Sequence, residues 1–383
     1  MKTEDKGRRC ALRARRLVWG AEVLLVLLTG CLSPTNSTPA SPTTVASVDA
    51  QYFAFYSTTK AYVSAFDYTG SAGGVYSFTP VASSTSTSAA GLLFLTDSTS
   101  GHVYSLDPSA TRPSSSLLLT TASAAGEIKF YKGIGYVAVG DYSGAGVYTF
   151  NPGATNPTAA KIGAYTPVSG TIGKNFQEVV VGTDSMVYAA DNTDAKVLRI
   201  NPATDTVTAT FTASAAGTTG LVSGSYGGTA GIFVANTGGY DSNYNPLPGS
   251  IDFIPYGTAS KTLTAIVSST VASASIYPGR LMVLASGDLI ASGGAGHTYY
   301  VSLSGTASAT EILAASSAFG SFSIAYDSAN NLVYVPYNVY SSTNATNLLY
   351  VFQGTTAATQ QGYSPVTVMT KTDNLANVAF YQN

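Results

Sequence analysis

Only 10% of the 383 residues are charged, two are histidine, two are cysteine and one is tryptophan. Each shortage excludes something. Cys10 lies in a basic leader, so Cys31 is the sole cysteine expected in the mature chain. An exported domain without an internal disulfide must rely on an apolar core and hydrogen-bonded ladders. Beyond the leader, 11 basic residues face 17 acidic ones, a net charge of −6, and the arginines are Arg112, Arg199 and Arg280 alone. That inventory cannot neutralise a row of phosphates, which excludes nucleic acid as a partner. His102 and His297 both follow a glycine just before a strand pattern (GHVYS, GHTYY), at equivalent places of different repeats. A shared metal site needs ligands converging within about 2 Å of one ion. Surface positions are therefore expected for both histidines, with no metal and no cofactor. The longest apolar run, 17–28, is interrupted by Gly20 and Glu22 and is too short to span a bilayer comfortably.

What is abundant is equally informative. Hydrophobic residues make up 45%, Tyr numbers 26 and Gly 38, and Ser, Thr and Ala fill much of the rest. Thr and Tyr favour strands, and the apolar share suffices for a core. The organising stretch is Met186 to Ala213: MVYAADN, a turn at Asp194 and Ala195, KVLRINP, a turn at Ala203 to Asp205, then TVTATFTA. Each run roughly alternates apolar with small or polar residues, the period of a half-buried strand. Three such strands make a meander too small to bury its own faces, so it must stack on copies of itself.

Copies are present. A third-strand signature recurs as VYSFTP from Val75, VYSLDP from Val103, VYTFNP from Val147 and VLRINP from Val197. It continues more loosely as IDFIP from Ile251, YVSL from Tyr300 and LYVF from Leu349. The mean spacing is about 46 residues, the length of a four-stranded propeller blade. Second strands read YVSAFD, LLFLTD, YVAVGD, VYAADN, IFVANT, DLIASG and LVYVPY. Fourth strands are expected at 116–121, 206–213, 261–267 and 366–370, and inner strands at 127–132, 176–182 and 321–327. Seven copies predict an all-β fold, a single seven-bladed β-propeller over residues 48–383. The interval from Val75 to Val103 is short, which keeps six or eight blades open. Leu375 to Tyr381 copies an inner strand with no blade after it and is expected to pair into the N-terminal blade, closing the circle and covering exposed edges. The stretch VYAADNTDAKVLRINPATDTVTATF, with its looser copies, resembles the YVTN-type β-propeller repeat family of exported bacterial and archaeal proteins. The resemblance implies a fold and an exported address. It transfers no catalytic residue.

The first thirty residues form a separate unit. Lys2, Lys6, Arg8, Arg9, Arg13, Arg15 and Arg16 precede the apolar run, and Leu28-Thr29-Gly30-Cys31 follows. This order describes an export signal over residues 1–30. Leu-Thr-Gly-Cys resembles the bacterial lipobox, which implies cleavage before Cys31 and lipidation of its sulfur. Leu32 in place of Asp favours the outer membrane where a cell has two. Two acyl chains hold a protein at a membrane where one binds only marginally. Residues 31–47, rich in Pro, Ser and Thr, are expected to be an extended tether.

Site candidates are of two kinds. The second strands end in Asp67, Asp97, Asp141, Asp191, Asn236 and Asn338, which on a propeller would form a rim of oxygen ligands for a hard cation. Asx residues are also what a tight turn requires there without any ligand, and that use is favoured. Loops bearing Tyr240, Asp241, Asn243 and Tyr244, and Tyr337, Asn338 and Tyr340, combine rigid aromatic faces with polar tips suited to glycan or peptide contact. Glycine-rich pieces at 224–227 and 293–296 lack the context of a nucleophile elbow or phosphate loop and are expected to be turns. The function expected is a lipid-anchored cell-envelope binding or scaffold module, contacting an envelope protein or glycan through one face. The alternatives are an envelope enzyme of the lyase or lactonase kind, or a structural surface component. An enzyme would need acidic or histidine side chains converging in the channel.

Overall fold

The computed structural model describes residues 51–57, 75–80, 92–97, 101–106, 116–122, 124–140, 144–163, 176–243, 245–269, 275–293, 297–313, 324–328, 331–339, 346–354 and 374–381. The leader, Cys31, the tether, Asp67, Asp141, Tyr244, Tyr340, the Gly294–Gly296 turn and the expected strand at 366–370 lie outside the described residues.

Every described element is a strand or a connection. β1 (Gln51–Ser57) comes first. The first antiparallel sheet joins β2 (Val75–Pro80), β3 (Leu93–Asp97), β4 (His102–Leu106) and β5 (Ser116–Thr120) in that order. The second joins β6 (Ala125–Tyr131), β7 (Ile134–Val139), β8 (Gly146–Phe150) and β9 (Ala160–Ile162). The third joins β10 (Phe176–Val181), β11 (Val187–Asp191), β12 (Lys196–Asn201) and β13 (Thr206–Thr212). The fourth begins with β14 (Thr218–Tyr226), β15 (Thr229–Asn236) and β16 (Ser250–Pro255). Its chain then contributes β17 (Lys261–Thr262) to the outer edge of β13 before β18 (Ala265–Ser268) completes its own sheet. The fifth joins β19 (Pro278–Val283), β20 (Leu289–Gly293), β21 (Thr298–Ser302) and β22 (Ser308–Leu313). The sixth holds β23 (Ala325–Asp327), β24 (Leu332–Val339) and β25 (Thr346–Gln353). Last, β26 (Asn374–Tyr381) pairs in parallel with β1, from Gln51 opposite Asn374 to Ser57 opposite Tyr381.

The packing explains why the strands read as they do. On β11, Val187 and Ala189 point into a core shared with Tyr136, Ala138 and Val147 of the second sheet. Tyr188 and Ala190 point the other way, into a core shared with Ile232, Val234 and Ile254 of the fourth. Period-2 alternation thus feeds two neighbours, and all five residues of the strand are buried. The same arrangement joins the first sheet to the second through Phe94, Ile128 and Phe150, the fourth to the fifth through Phe233, Phe253 and Val301, and the fifth to the sixth through Ile290, Tyr300 and Phe352.

Three expectations are corrected. Val75–Pro80 is not a third strand: β2 is the inner strand of the sheet whose third strand is β4. The short Val75-to-Val103 interval is the distance between two strands of one sheet. Inner strands such as β10 and third strands such as β12 are both largely buried, so the pattern does not tell them apart. The run at 261–267 is not one strand, since it divides between β17 and β18 on different sheets. Tyr337 and Asn338 are not loop residues: β24 continues through them, with Asn338 opposite Asn347 on β25.

Candidate functional site

Five inner strands share an irregularity. The register slips between Val75 and Ser77 in β2, Ala125 and Ile128 in β6, Phe176 and Glu178 in β10, Thr218 and Gly220 in β14, and Pro278 and Arg280 in β19. A bulge bends its strand and re-aims a side chain. Glu178 and Arg280 are the first paired residues after their bulges, Glu127 sits within its own, and Lys129 follows on the same side of β6. Consecutive inner strands lie next to one another, from β2 through β6, β10 and β14 to β19. The bulges therefore gather at one end of the interior.

There the charges meet. The Nη1 of Arg280 donates to Glu127 Oε2 at 2.9 Å and also to Glu178 Oε2. Lys129 Nζ donates to Glu127 Oε1 at 2.6 Å. Both glutamates are buried, as such residues rarely are unless paired. Arg280 comes from the fifth sheet and its partners from the second and third, so the side chain passes the fourth altogether. Two glycines make room. A Cβ on Gly220 would lie 2.4 Å from Gly279 O and 3.1 Å from Arg280 Cα, and one on Gly126 would lie 2.7 Å from Gln177 O. Backbone atoms cannot yield, so the strands approach this closely only because both positions lack a side chain.

The two carboxyls differ in proton affinity. Burial pushes Glu178 up to about 8, with Arg280 and Lys129 offsetting it in part and Glu127 adding to the rise. Burial acts on Glu127 in the same direction, but the charges and hydrogen bonds of Lys129 and Arg280 outweigh it and hold it below the ordinary carboxylate range. Their surroundings thus shift the two carboxyls in opposite directions.

The connection from β15 to β16 rises from the same end, because Asn236 pairs with both Thr218 and Ser250. Asp241 organises it. Its Oδ1 accepts the amides of Asn243 and Asn245 at 2.8 and 2.9 Å, its Oδ2 accepts Asn245 Nδ2 at 2.9 Å, and its own amide donates to Asn245 O. Those bonds hold the Asp241 carboxyl below its ordinary range. Gly238, at φ +93°, takes a turn that a Cβ would block against Leu247 O. On this fixed loop Tyr240 is 69% exposed and Leu247 42%. The amide of Gly249 donates to Ile276 O at 2.7 Å, fastening the loop just ahead of β19.

The other candidates are dispersed. Asp191 Oδ1 accepts the amides of Thr193 and Asp194, as a turn residue does. Asn236 is buried, accepting from Thr218 Oγ1 and donating to Ser250 Oγ and Asp252 Oδ2. Asp97 closes β3. Among the described residues, no three His, Cys, Asp or Glu side chains gather as metal ligands do. His102 pairs with Tyr104 on the first sheet, whereas His297 stacks between Tyr277 and Tyr299 beside Glu311 on the fifth. Sequence reasoning missed the Arg280 cluster. The available signal was a pair of charges two apart in AGEIKFY and a single one in FQEVVV, inside strands otherwise mostly apolar and in a chain with few charges to place.

No protein-family model matches this chain, and no curated protein does. Solved structures do resemble it. A putative 6-phosphogluconolactonase from Bacteroides fragilis matches over 78% of this chain and 85% of its own, at 14% identity and a TM-score of 0.53. A catalytically inactive virginiamycin B lyase from Staphylococcus aureus, with quinupristin, matches over 73% and 83%, at 12% identity and a TM-score of 0.54. A functionally unknown protein from Desulfotomaculum acetoxidans matches over 79% and 87%, at 12% identity and a TM-score of 0.50. At such identities the likeness concerns the fold alone, and with the stacked antiparallel sheets it makes this chain a β-propeller.

Proposed function

We propose that this protein is a lipid-anchored, cell-envelope β-propeller that binds a protein or glycan partner through the rim where its inner strands begin. The fixed Asp241 loop carries that reading. An exposed aromatic held by a pre-ordered backbone loses little entropy on binding and gives contact area with a polar tip. The anchor rests on Cys31 and the lipobox resemblance, with residues 31–47 setting the reach, and the repeat resemblance supports reading the chain as a YVTN-type propeller. Seven blades are the count we favour. β26 lies beside β2 on one side and beside β23 and β24 on the other, which supports the β1–β26 pair as the seventh, closing member.

Two measurements test this. Fatty-acid labelling of the wild type should be lost in Cys31→Ser, and equal labelling of both removes the anchor. Binding to envelope fractions and glycan arrays should weaken about tenfold in Tyr240→Ser, the size of effect expected of a contact residue. Undiminished binding to every target removes the loop.

A second reading has its own observation. Glu127 and Glu178, pushed apart in proton affinity within one buried cluster, resemble the acid and base of a catalytic pair. It makes the protein an envelope lyase or lactonase. Turnover of a lactone substrate that disappears in Glu178→Gln while the fold persists would favour it over the binding module.

A further inference from the structure

We propose that the occupant of this rim is a glycan without acidic groups, laid across the junction of the fourth and fifth sheets by Tyr240, Tyr277 and Glu311. The proposal rests on the binding-module reading and names the chemistry of its partner. Its basis is a stack of rings beside the Asp241 loop. His297, in the connection from β20 to β21, has its ring centre 5.4 Å from that of Tyr277 and 5.9 Å from that of Tyr299. Tyr299 is buried and Tyr277 half-buried, so Tyr277 is the outer end of the stack. Glu311 stands opposite Tyr299 on β22 and holds His297 Nδ1 through its Oε1.

Two connections grip the segment that carries Tyr277. From the fourth sheet, the amide of Gly249 donates to Ile276 O at 2.7 Å, and a Cβ on Gly249 would lie 3.0 Å from Pro278 Cδ. From the fifth, Gly293 comes so near that a Cβ would strike Tyr277 O, while its amide donates to His297 O at 2.9 Å. Both approaches need a residue without a side chain. They set the loop bearing Tyr240 and Leu247 alongside Tyr277, and Tyr277 against His297. The result is one strip running across two sheets.

The chemistry of the strip fits a sugar chain. A sugar ring offers a face of C–H groups, which an aromatic ring covers, and hydroxyls at its edge, which need acceptors. Tyr277 is pinned by its ring contact and the backbone of Tyr240 by its loop, so little ordering entropy is lost on binding. The Glu311 side chain is 40% exposed, and among the described residues only its Oε1 is bonded, leaving Oε2 for a ligand hydroxyl. The charged side chains of the strip are Asp241, Glu311 and His297. A uronate or sulfated sugar would meet two carboxylates against one imidazole, a repulsive balance. A protein partner would need about 800 Å² of rim with an apolar centre. The exposed large apolar side chains described at this rim are Tyr240 and Leu247 alone.

The test binds the full chain, in mild detergent, to immobilised envelope extract before and after periodate, which cleaves vicinal diols. Binding should disappear after periodate. Binding that survives it overturns the glycan and leaves the binding module standing, whereas no binding to untreated extract overturns both. When the extract is passed over an anion exchanger, the bound polysaccharide should be in the unretained, non-acidic fraction; binding confined to the retained fraction overturns the exclusion of acids. Tyr277→Ala should weaken binding about tenfold while Tyr277→Phe stays within about twofold of wild type. Glu311→Gln, which keeps an acceptor for His297 and drops the charge, should weaken binding and admit the acidic fraction. Wild-type affinity in Tyr277→Ala or in Glu311→Gln removes the strip. If Tyr277→Ala does not fold, Glu311→Gln and the periodate comparison decide.

Discussion

Glu127 and Glu178 are the same residue type on adjacent inner strands, and their surroundings drive them in opposite directions. The difference lies in partners: among the described residues Glu127 is hydrogen-bonded by both Lys129 and Arg280, whereas Glu178 is bonded by Arg280 and feels Lys129 only through space. Small residues decide whether such groups can meet. Gly220 needs no left-handed backbone, so the space it leaves, not its backbone angle, is what matters. Gly220→Ala should destabilise the fold by about 1–3 kcal/mol through overpacking against Gly279. Gly227→Ala provides the contrast, with nothing within 4 Å of its added Cβ but a φ of +56°. It should cost about 1–2 kcal/mol through backbone angle alone. Urea midpoints at pH 6 and pH 8.5 separate the two, since only the Gly220 change should also alter the pH response.

Each element is held by a turn and by a tie to the next sheet. The turns at Ala195 and Asp205 bring these residues to φ +50° and +54°, at the places where the sequence put its Asx-rich connections. Between sheets, Asp252 on β16 accepts the amide of Ser214 at 2.8 Å and Asn236 Nδ2 at 3.0 Å, with the hydroxyls of Ser214 and Ser250 around it. Ser214 lies in the link between the third and fourth sheets, so this buried carboxyl fixes their junction. Asp252→Ala should cost about 1–3 kcal/mol, because the buried Asn236 amide and the Ser214 amide lose a shared acceptor. Ser250→Ala should cost less than half as much. A thermal midpoint for Asp252→Ala within a degree of wild type would remove the junction role.

At the scale of the molecule, the question is how a stack of sheets ends. Residues 51–57 and 374–381 pair although they lie at opposite ends of the described chain. A chain ending before Asn374 should expose the edge of β1 and self-associate, an unpaired strand being a template for another. Sedimentation would detect this: wild type should remain a single species under conditions where the shortened chain forms larger ones. If both sediment alike, β26 does not protect that edge.

The sequence by itself determined the strands, their order and most of their turns, because the side-chain period and the Asx, Gly and Pro chemistry of turns are local properties. It marked the loop at Tyr240 by its Tyr and Asn content, but that Asp241 fixes it through bonds to Asn243 and Asn245 emerged only from the structure. It misassigned Val75–Pro80, since inner and third strands carry similar sequence patterns and only the pairing with Leu93–Asp97 separates them. It read Tyr337 and Asn338 as loop because pairing with Thr346–Gln353 is what extends β24. Only the tertiary structure decided that Arg280 meets Glu127, 153 residues away, and Glu178, 102 residues away. The bulges that aim these side chains, and the absent Cβ atoms that let the strands close in, act across distances to which no local pattern corresponds.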